Sequence, residues 1–312
     1  MIECRPFNNS DSPRIACFWQ QHRLDALARP MTPPVLEHVV LGKLHFRPQD
    51  LVLAMQGDRL LGLVHFSRDQ APTPENAPGG TPRINMLLVD TAHEDPAAIA
   101  DELLQATRER HGDNLQTAGP LQPNLFYVGL YGGSGFPGLL ASDTIVIEAL
   151  RRNRFTPVRR RVIYRAPATS LSVSPDRAVR QLRRQAQASA TPCLPDGGWE
   201  KAGPISHLER HLIRLEAHPG GPLLGQIETW DPSPLADRWG GPVVGIHRPI
   251  IHDADREDVI KASLISEAIT FLQRTPAAFI EIHDDLADPA LLLDLGFVAV
   301  GEGLELATHS PS

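Results

Sequence analysis

Side-chain types and spacings in this 312-residue chain point first to three kinds of chemistry. His207 and His211 stand four apart, which on a helix would put both on one face within reach of one metal ion. Glu209 falls in the wrong place for a metalloprotease H-E-x-x-H helix, and His252-Asp253 and His283-Asp284-Asp285 are similar pairings without a third fixed ligand. Such clusters usually decorate surfaces, so no metal is expected. The stretch Gly129–Gly138 is glycine-rich but has no Lys-Ser/Thr after it and is no Walker loop. A tight turn is the favoured reading; a loop facing a cofactor is the other, because glycine admits close backbone approach. Arg151, Arg152, Arg154, Arg159, Arg160, Arg161 and Arg165 could meet a phosphate, an acidic partner or RNA. A solvated face with counter-charges nearby is preferred.

These residues need elements to hold them. Residues 2–7 read as a short strand, and Pro13 after Ser10 and Ser12 opens a helix. Val35, Leu36, Val39 and Val40 have helical spacing after two prolines, and Gly42 stops the pattern. Two apolar runs around Gln56-Gly57-Asp58-Arg59 give a hairpin. RINMLLVD is a buried strand, and Asp95-Pro96 caps and starts a helix carrying Ile99, Leu103 and Leu104 on one face. LFYVGLYGG reads as a strand entering the glycine-rich loop, SDTIVIEALRRNRF as a helix and VRRRVIYRA as a strand. Residues 167–198 are polar, proline-rich at both ends and helical in the middle. Beyond them the order repeats: HLERHLIRLEA (helix or strand), strands GPLLGQIETWD and GPVVGIHRPII, helix DREDVIKASLISEAITFLQ, strand AAFIEIHDD, short helix DPALLLDLGF and a closing hairpin VAVGEGLELA. The expected division is residues 1–166, a linker with a helix at 167–198, and residues 199–312, each half an α/β domain with a mixed sheet.

Composition narrows the function classes. Hydrophobic residues make up 42% and charged residues 21%, an ordinary globular balance. The net charge of -7 argues against a general nucleic-acid binder. No apolar run of about 18 residues would span a membrane, and the polar first residues do not make a signal peptide. Cys4, Cys17 and Cys193 are far apart and form no C-x-x-C, so neither a zinc site nor a disulfide framework is expected and the cytoplasm is the expected location.

The stretch Ala290-Leu291-Leu292-Leu293-Asp294-Leu295-Gly296-Phe297 resembles the last helix of GNAT-type N-acetyltransferases, which ends in Leu-Gly-Phe before a strand. Asn153-Arg154-Phe155 occupies the like position in the first half. Phe126–Gly135 together with Trp239-Gly240-Gly241-Pro242 resembles segments of a subfamily of tandem GNAT-like proteins, with a two-domain layout similar to that of mycothiol synthase. The resemblance spans nearly the whole chain in element order, and its residue motifs are weak.

It implies an acyl-CoA-dependent N-acetyltransferase fold, with acetyl-CoA as co-substrate and a small-molecule or peptide amine as acceptor, without nucleic acid or membrane as partner. It leaves the oligomeric state open. On the family pattern, Met86, Leu87, Leu88 and Val89 would hold pantetheine and Ala98, Ile99 and Ala100 would receive the pyrophosphate at a helix N-terminus. Glu94 and Asp95 crowd that end with negative charge, and Asp95 is also its N-cap. In the second half Val259 and Lys261 replace the small residues among Asp253, Asp255, Glu257 and Asp258, with Arg256 alone to offset them. The family's tyrosine proton donor is replaced by Leu150 and Leu292, leaving Tyr131 or Tyr127 as substitutes. Glu228 and His65 lie on strands that face the acceptor cleft in this fold, Glu228 being the candidate base. The rival expectation is a degenerate GNAT pair that binds a ligand or a protein. A third gives catalysis to the first half alone.

Overall fold

The computed structural model describes residues 2–22, 27–43, 46–68, 82–111, 115, 117–119, 126–133, 135–193, 205–232, 242–247, 249–283 and 288–308. Trp239, Gly240, Gly241, Asp284 and Asp285 lie outside them. The chain forms two compact units. Unit 1 is Met1–Tyr127, Phe136–Arg160 and Gly301–Ser312; unit 2 is Val128–Gly135 and Arg161–Val300. Among the described residues no helix is long and apolar enough to cross a membrane.

Unit 1 opens with β1 (Glu3–Pro6), α1 (Ser12–His22) and α2 (Pro33–Leu36), which loosens into one wide turn over Glu37–Leu41. Thr32 caps α2 and Pro33 and Pro34 fill its first turn, where no amide partner is needed. β2 (Leu51–Gln56) and β3 (Arg59–Arg68) form the expected hairpin, with Gly57 at φ +58. β4 (Pro82–Val89) leads to α3 (Pro96–His111), and β5 (Thr117–Ala118), β6 (Leu139–Leu140) and α4 (Thr144–Arg152) follow. β7 (Phe155–Pro167) gives residues 155–160 to unit 1 and 161–167 to unit 2, and β14 (Val298–Thr308) gives unit 1 its residues from 301 onward. The strand order is β1-β2-β3-β4-β5-β14-β7. One core joins Val64, Phe66, Ile84, Leu87, Ile99 and Leu103 to α4 and to Leu304 and Leu306.

Unit 2 holds α5 (Arg177–Gln185), β8 (Gln187–Pro192), β9 (Glu209–Glu216), β10 (Leu223–Asp231), β11 (Val243–Ile246), β12 (Ile250–Ile251), α6 (Glu257–Leu272), β13 (Phe279–His283) and α7 (Pro289–Leu295). Its order is β7-β13-β11-β10-β9-β8, with β12 on β10. The 207–217 stretch, open to both readings in sequence, is a strand from Glu209.

Both units bring a helix down on a strand glycine. A Cβ on Gly62 would lie 2.9 Å from Ile99 Cγ2, 3.0 Å from Leu103 Cδ1 and 2.8 Å from the Leu88 carbonyl oxygen. A Cβ on Gly225 would lie 3.2 Å from Ile260 Cγ2, 3.0 Å from Leu264 Cδ1 and 2.8 Å from the Ile250 oxygen. Each unit also ends a helix in the left-handed region before a buried phenylalanine: Arg154 (φ +68) before Phe155, and Gly296 (φ +100) before Phe297.

Two elements differ from the sequence reading. Residues 126–131 are a run of turns, not a strand, because Tyr127 (φ +61) and Gly129 (φ +90) take left-handed backbone that no strand accepts. Residues 298–308 form one strand instead of a hairpin. Gly301 and Gly303 serve contact there, since a Cβ would meet Leu27 Cδ1 at 2.2 Å and the Pro137 oxygen at 2.0 Å.

Candidate functional site

In unit 1, β3 and β4 run antiparallel with Gly62 opposite Val89 and His65 opposite Met86, then shift so that Phe66 faces Ile84. Asn85 is the extra residue, a β-bulge of the kind common beside active sites. On its other side β4 runs parallel to β5 at Arg83–Thr117 and Ile84–Ala118, and the Gly119 amide donates to the Ile84 carbonyl at 2.8 Å. Among the described residues the ladder ends there. β4 continues through Met86, Leu87, Leu88 and Val89, all buried, toward the start of α3. At that start the Ala98 amide donates to Asp95 Oδ1 at 3.0 Å, so Asp95 is the cap. Ala98 is half-buried, while Ile99 and Ala100 are in the core.

The face of β3–β4–β5 away from α3 carries polar groups. His65 is fully buried, and Tyr127 Oη lies 2.9 Å from its Nδ1. Phe126 meets the imidazole edge-on at 4.7 Å, Phe46 lies at 5.9 Å, and Phe136 lies 5.5 Å from the Tyr127 ring. Burial among these rings pushes the His65 pKa down to about 3, so the imidazole is neutral. The side-chain nitrogens His65 Nε2 and Asn85 Nδ2, and the hydroxyls of Ser67 and Thr117, are buried with no hydrogen-bond partner.

In unit 2, β10 and β11 are antiparallel with Trp230 opposite Gly245 and Thr229 opposite Ile246. The His247 amide donates to the Glu228 carbonyl, and Gln226 pairs with Ile250. β11 runs parallel to β13 only over Val243–Gly245. Glu228 accepts from Arg210 Nη2 at 2.6 Å and from Trp230 Nε1 at 2.9 Å. His247 stacks on the Trp230 ring at 3.6 Å, and the Arg210 guanidinium lies 5.7 Å from that ring's centre. Burial works to raise the Glu228 pKa, but the Trp230 and Arg210 hydrogen bonds and the charges of Arg210 and His247 hold it below the usual carboxylate value. Glu228 is therefore ionised.

The segment Val128–Gly135 packs within unit 2. A Cβ on Gly133 would fall 1.9 Å from the Gly245 amide nitrogen, and one on Gly132 (φ +110) 2.3 Å from a Glu281 carboxylate oxygen, so only glycines fit against β11 and β13. His247 Nε2 lies 3.0 Å from the Gly133 carbonyl oxygen, and His207 Nε2 3.0 Å from that of Val128. Glu281 is fully buried and paired with Arg165 at 2.7 Å. At the start of α6, no side chain caps the helix; Arg256 bonds Asp253 at 2.6 Å, and Lys261 lies 3.3 Å from Glu257.

No protein-family model and no curated protein matches the sequence. Solved structures do match in shape. A tandem GNAT protein from the clavulanic acid biosynthesis pathway is similar over 100% of both chains at 13% identity, with a TM-score of 0.55. A GCN5-related glucosamine N-acetyltransferase region of a fungal multi-domain GH3 β-N-acetylglucosaminidase is similar over 98% of this chain and 38% of that one, at 11% identity and a TM-score of 0.65. A GCN5-related N-acetyltransferase from Sphaerobacter thermophilus is similar over 98% and 95% of the two chains, at 9% identity and a TM-score of 0.55. The chain has a tandem GNAT fold. In unit 1 the strand that runs parallel to β5 is bulged at Asn85 and leads to a helix N-terminus, and in unit 2 the parallel pairing of β11 and β13 covers Val243–Gly245.

Met86, Leu87, Leu88 and Val89 lie on β4 and Ala98, Ile99 and Ala100 in the first turns of α3, all in unit 1. Tyr131 and Glu228 lie in unit 2. Tyr131 is 1% exposed in the Val128–Gly135 segment, and Tyr127 is the tyrosine that reaches His65. Leu87 and Val89 share the core with Ile99 and Ala100. His211 lies on strand β9, so its four-residue spacing from His207 is not that of two residues on one helical face. Sequence reasoning missed Asn85, Ser67, Thr117 and Arg210. The cue for Asn85 was one polar residue inside the run RINMLLVD, and for Arg210 a cation inside an apolar strand.

Proposed function

We propose that the protein is an acyl-CoA-dependent N-acyltransferase that moves an acyl group, acetyl in the first instance, to a small-molecule or peptide amine in the cytoplasm. What carries this reading is β4 in the GNAT fold: parallel to β5 at Arg83 and Ile84, bulged at Asn85, and leading into α3. Met86–Val89 would lie along pantetheine and Ala98–Ala100 toward the pyrophosphate. The amine nitrogen attacks the thioester carbonyl, the C–N bond forms, the C–S bond breaks, and CoA leaves as a thiolate that takes up a proton. A buried imidazole with a pKa of about 3 is a poor proton acceptor, so His65 would orient a substrate group and the amine would enter as its free base. In unit 2, Glu228 would serve as an ionised partner for the incoming amine, and Tyr131, a buried hydroxyl, would be the proton donor to the CoA thiolate.

A second reading has its own support. Asp95 occupies the Ala98 amide, and the first turn of α6 carries Glu257 and Asp258. Both place negative charge where a pyrophosphate would sit. On these grounds the alternative is a GNAT-fold pair that binds another ligand or a protein without transferring an acyl group. Calorimetry of the full-length protein with acetyl-CoA separates them. Saturable one-site binding in the micromolar range, lost in Ala98→Trp, supports the transferase. Absence of heat at millimolar acetyl-CoA rejects it.

A further inference from the structure

Four polar side-chain atoms of unit 1, His65 Nε2, Ser67 Oγ, Asn85 Nδ2 and Thr117 Oγ1, are buried without a hydrogen-bond partner. His65 and Ser67 are two apart on β3, hence on the same face. Ser67 stands opposite Arg83 on β4, and Arg83 opposite Thr117 on β5, which places Ser67 and Thr117 on that face too. Asn85 joins them because a bulge turns its extra residue to the side of the one that follows, Met86, which faces His65. The alternate residues Val64, Phe66, Ile84, Leu87 and Ala118 fill the core on the opposite side. His65, Ser67 and Asn85 are at most 3% exposed. Their unpartnered atoms, with Thr117 Oγ1, come from three adjacent strands.

One orphaned buried polar group is a tolerable defect. Four on one face of three adjacent strands call for something that meets them, since native proteins satisfy nearly all such groups. The chemistry of the four sets the class of that ligand. Asn85 Nδ2 donates only. The two hydroxyls donate and accept, and His65 Nε2 does one or the other according to its tautomer. None of the four is charged, His65 is held neutral, and the nearby Arg83 is paired with Glu305 at 2.7 Å. A carboxylate or phosphate would be buried there without a counter-charge, and so would an ammonium. A hydroxyl fits, because it is neutral and both gives and takes hydrogen bonds.

We infer that His65, Ser67, Asn85 and Thr117 form a binding site for the hydroxyl-bearing part of a small polyhydroxylated molecule. On the acyltransferase reading, on which this name for the ligand rests, that molecule is an amino alcohol whose nitrogen lies outside the four groups.

The probe is 2-amino-1,3-propanediol, titrated into the full-length protein without acyl-CoA. Its control is 3-aminopentane, in which methyl groups replace the two hydroxyls. The diol binds, and the alkyl amine binds at least about tenfold more weakly. Asn85→Leu and Ser67→Ala each weaken the diol about tenfold, and neither lowers the melting temperature, since each removes an orphaned group. Thr117→Val is the third variant, should either of those fail to fold. Equal binding of the two amines overturns the inference, and so does no binding of either together with raised melting temperatures in the variants, which would leave water as the only occupant. Diol binding in a protein that ignores acetyl-CoA keeps the site and rejects the transferase. Acetyl-CoA binding without diol binding does the reverse.

Discussion

The two units keep the same frame and have exchanged its chemistry. Gly62 under Ile99 and Leu103 corresponds to Gly225 under Ile260 and Leu264, with a carbonyl at 2.8 Å in each case. Three residues beyond each glycine on the same strand stand His65 and Glu228. One is neutral, closed in by aromatic rings and bonded to a tyrosine. The other is an ionised carboxylate held by a guanidinium and an indole. Close approach of helix to strand tolerates little change, because any added atom must displace backbone. A polar residue facing a cleft is bound only by its own partners, so it can diverge as long as those partners change with it.

The largest expected contrast concerns buried charge. Unit 2 has Glu281, fully buried and bound to Arg165. The Arg83–Glu305 pair of unit 1 is partly exposed, at 12% and 22%. Glu281→Gln removes the carboxylate charge beside a buried guanidinium and should cost about 3–5 kcal/mol, while Glu305→Gln should cost about 1 kcal/mol or less. Urea unfolding of the two variants measures this. Equal losses would show that the buried pair is no more than a surface bridge.

Acid should act on both units through one buried histidine each. Burial holds His65 at about 3, against 6.5 for a free imidazole. Burial, then the charges of Arg161 and His247, hold His283 well below its ordinary value. The unfolded chain takes up these protons first, so stability is full above pH 6.5 and falls as pH drops toward the folded pKa. For His65 alone the loss is about 1.4 kcal/mol per pH unit, roughly 2 kcal/mol by pH 5. His65→Gln should remove its share of the slope and leave that of His283. An unchanged slope in the variant would mean that His65 is protonated, or solvated, in the folded state.

Smaller still is the effect that tests the shared frame itself. Gly62→Ala and Gly225→Ala should each destabilise the protein by about 1–3 kcal/mol, through contact of the new methyl with backbone oxygen and helix side chains. Matching losses support equivalent positions. If only one variant is destabilised, the helix–strand approach is not under the same constraint in both units.

What the sequence made legible follows from how locally each feature is encoded. The hairpin around Gly57 and the Asp95 cap are written in neighbouring residues, and both are present. The run Phe126–Tyr131 has strand composition, yet Tyr127 and Gly129 take left-handed backbone, which an apolar pattern does not announce. β8 was not foreseen because Gln187–Pro192 is exposed along its whole length and is held by pairing to β9, without an apolar pattern. Glu228 and His65 could be placed on strands from sequence. Two of their partners could not, because Arg210 meets Glu228 across strands and Tyr127 meets His65 through the turn, and the Asn85 bulge exists only as a register shift against β3.

The last contrast lies at the two helix starts and decides which unit is open to a phosphate. In α3 the Ala98 amide is taken by Asp95, while in α6 no side chain caps the helix and Arg256 stands at its N-cap. Asp95→Ala should cost about 1 kcal/mol of stability, the usual worth of a cap. It should also free the amide and remove a negative charge, so acetyl-CoA affinity rises several-fold if unit 1 receives the pyrophosphate. Arg256→Ala should leave stability nearly unchanged, because its bond to Asp253 is on the surface. It should weaken acetyl-CoA only if unit 2 is the site. Calorimetry on both variants reads affinity and thermal melting reads stability, so a weakened helix and an opened anion site are told apart. A rise in affinity for Asp95→Ala with no change for Arg256→Ala places the cofactor in unit 1; the opposite pattern moves it to unit 2, where Glu228 would then face the acceptor.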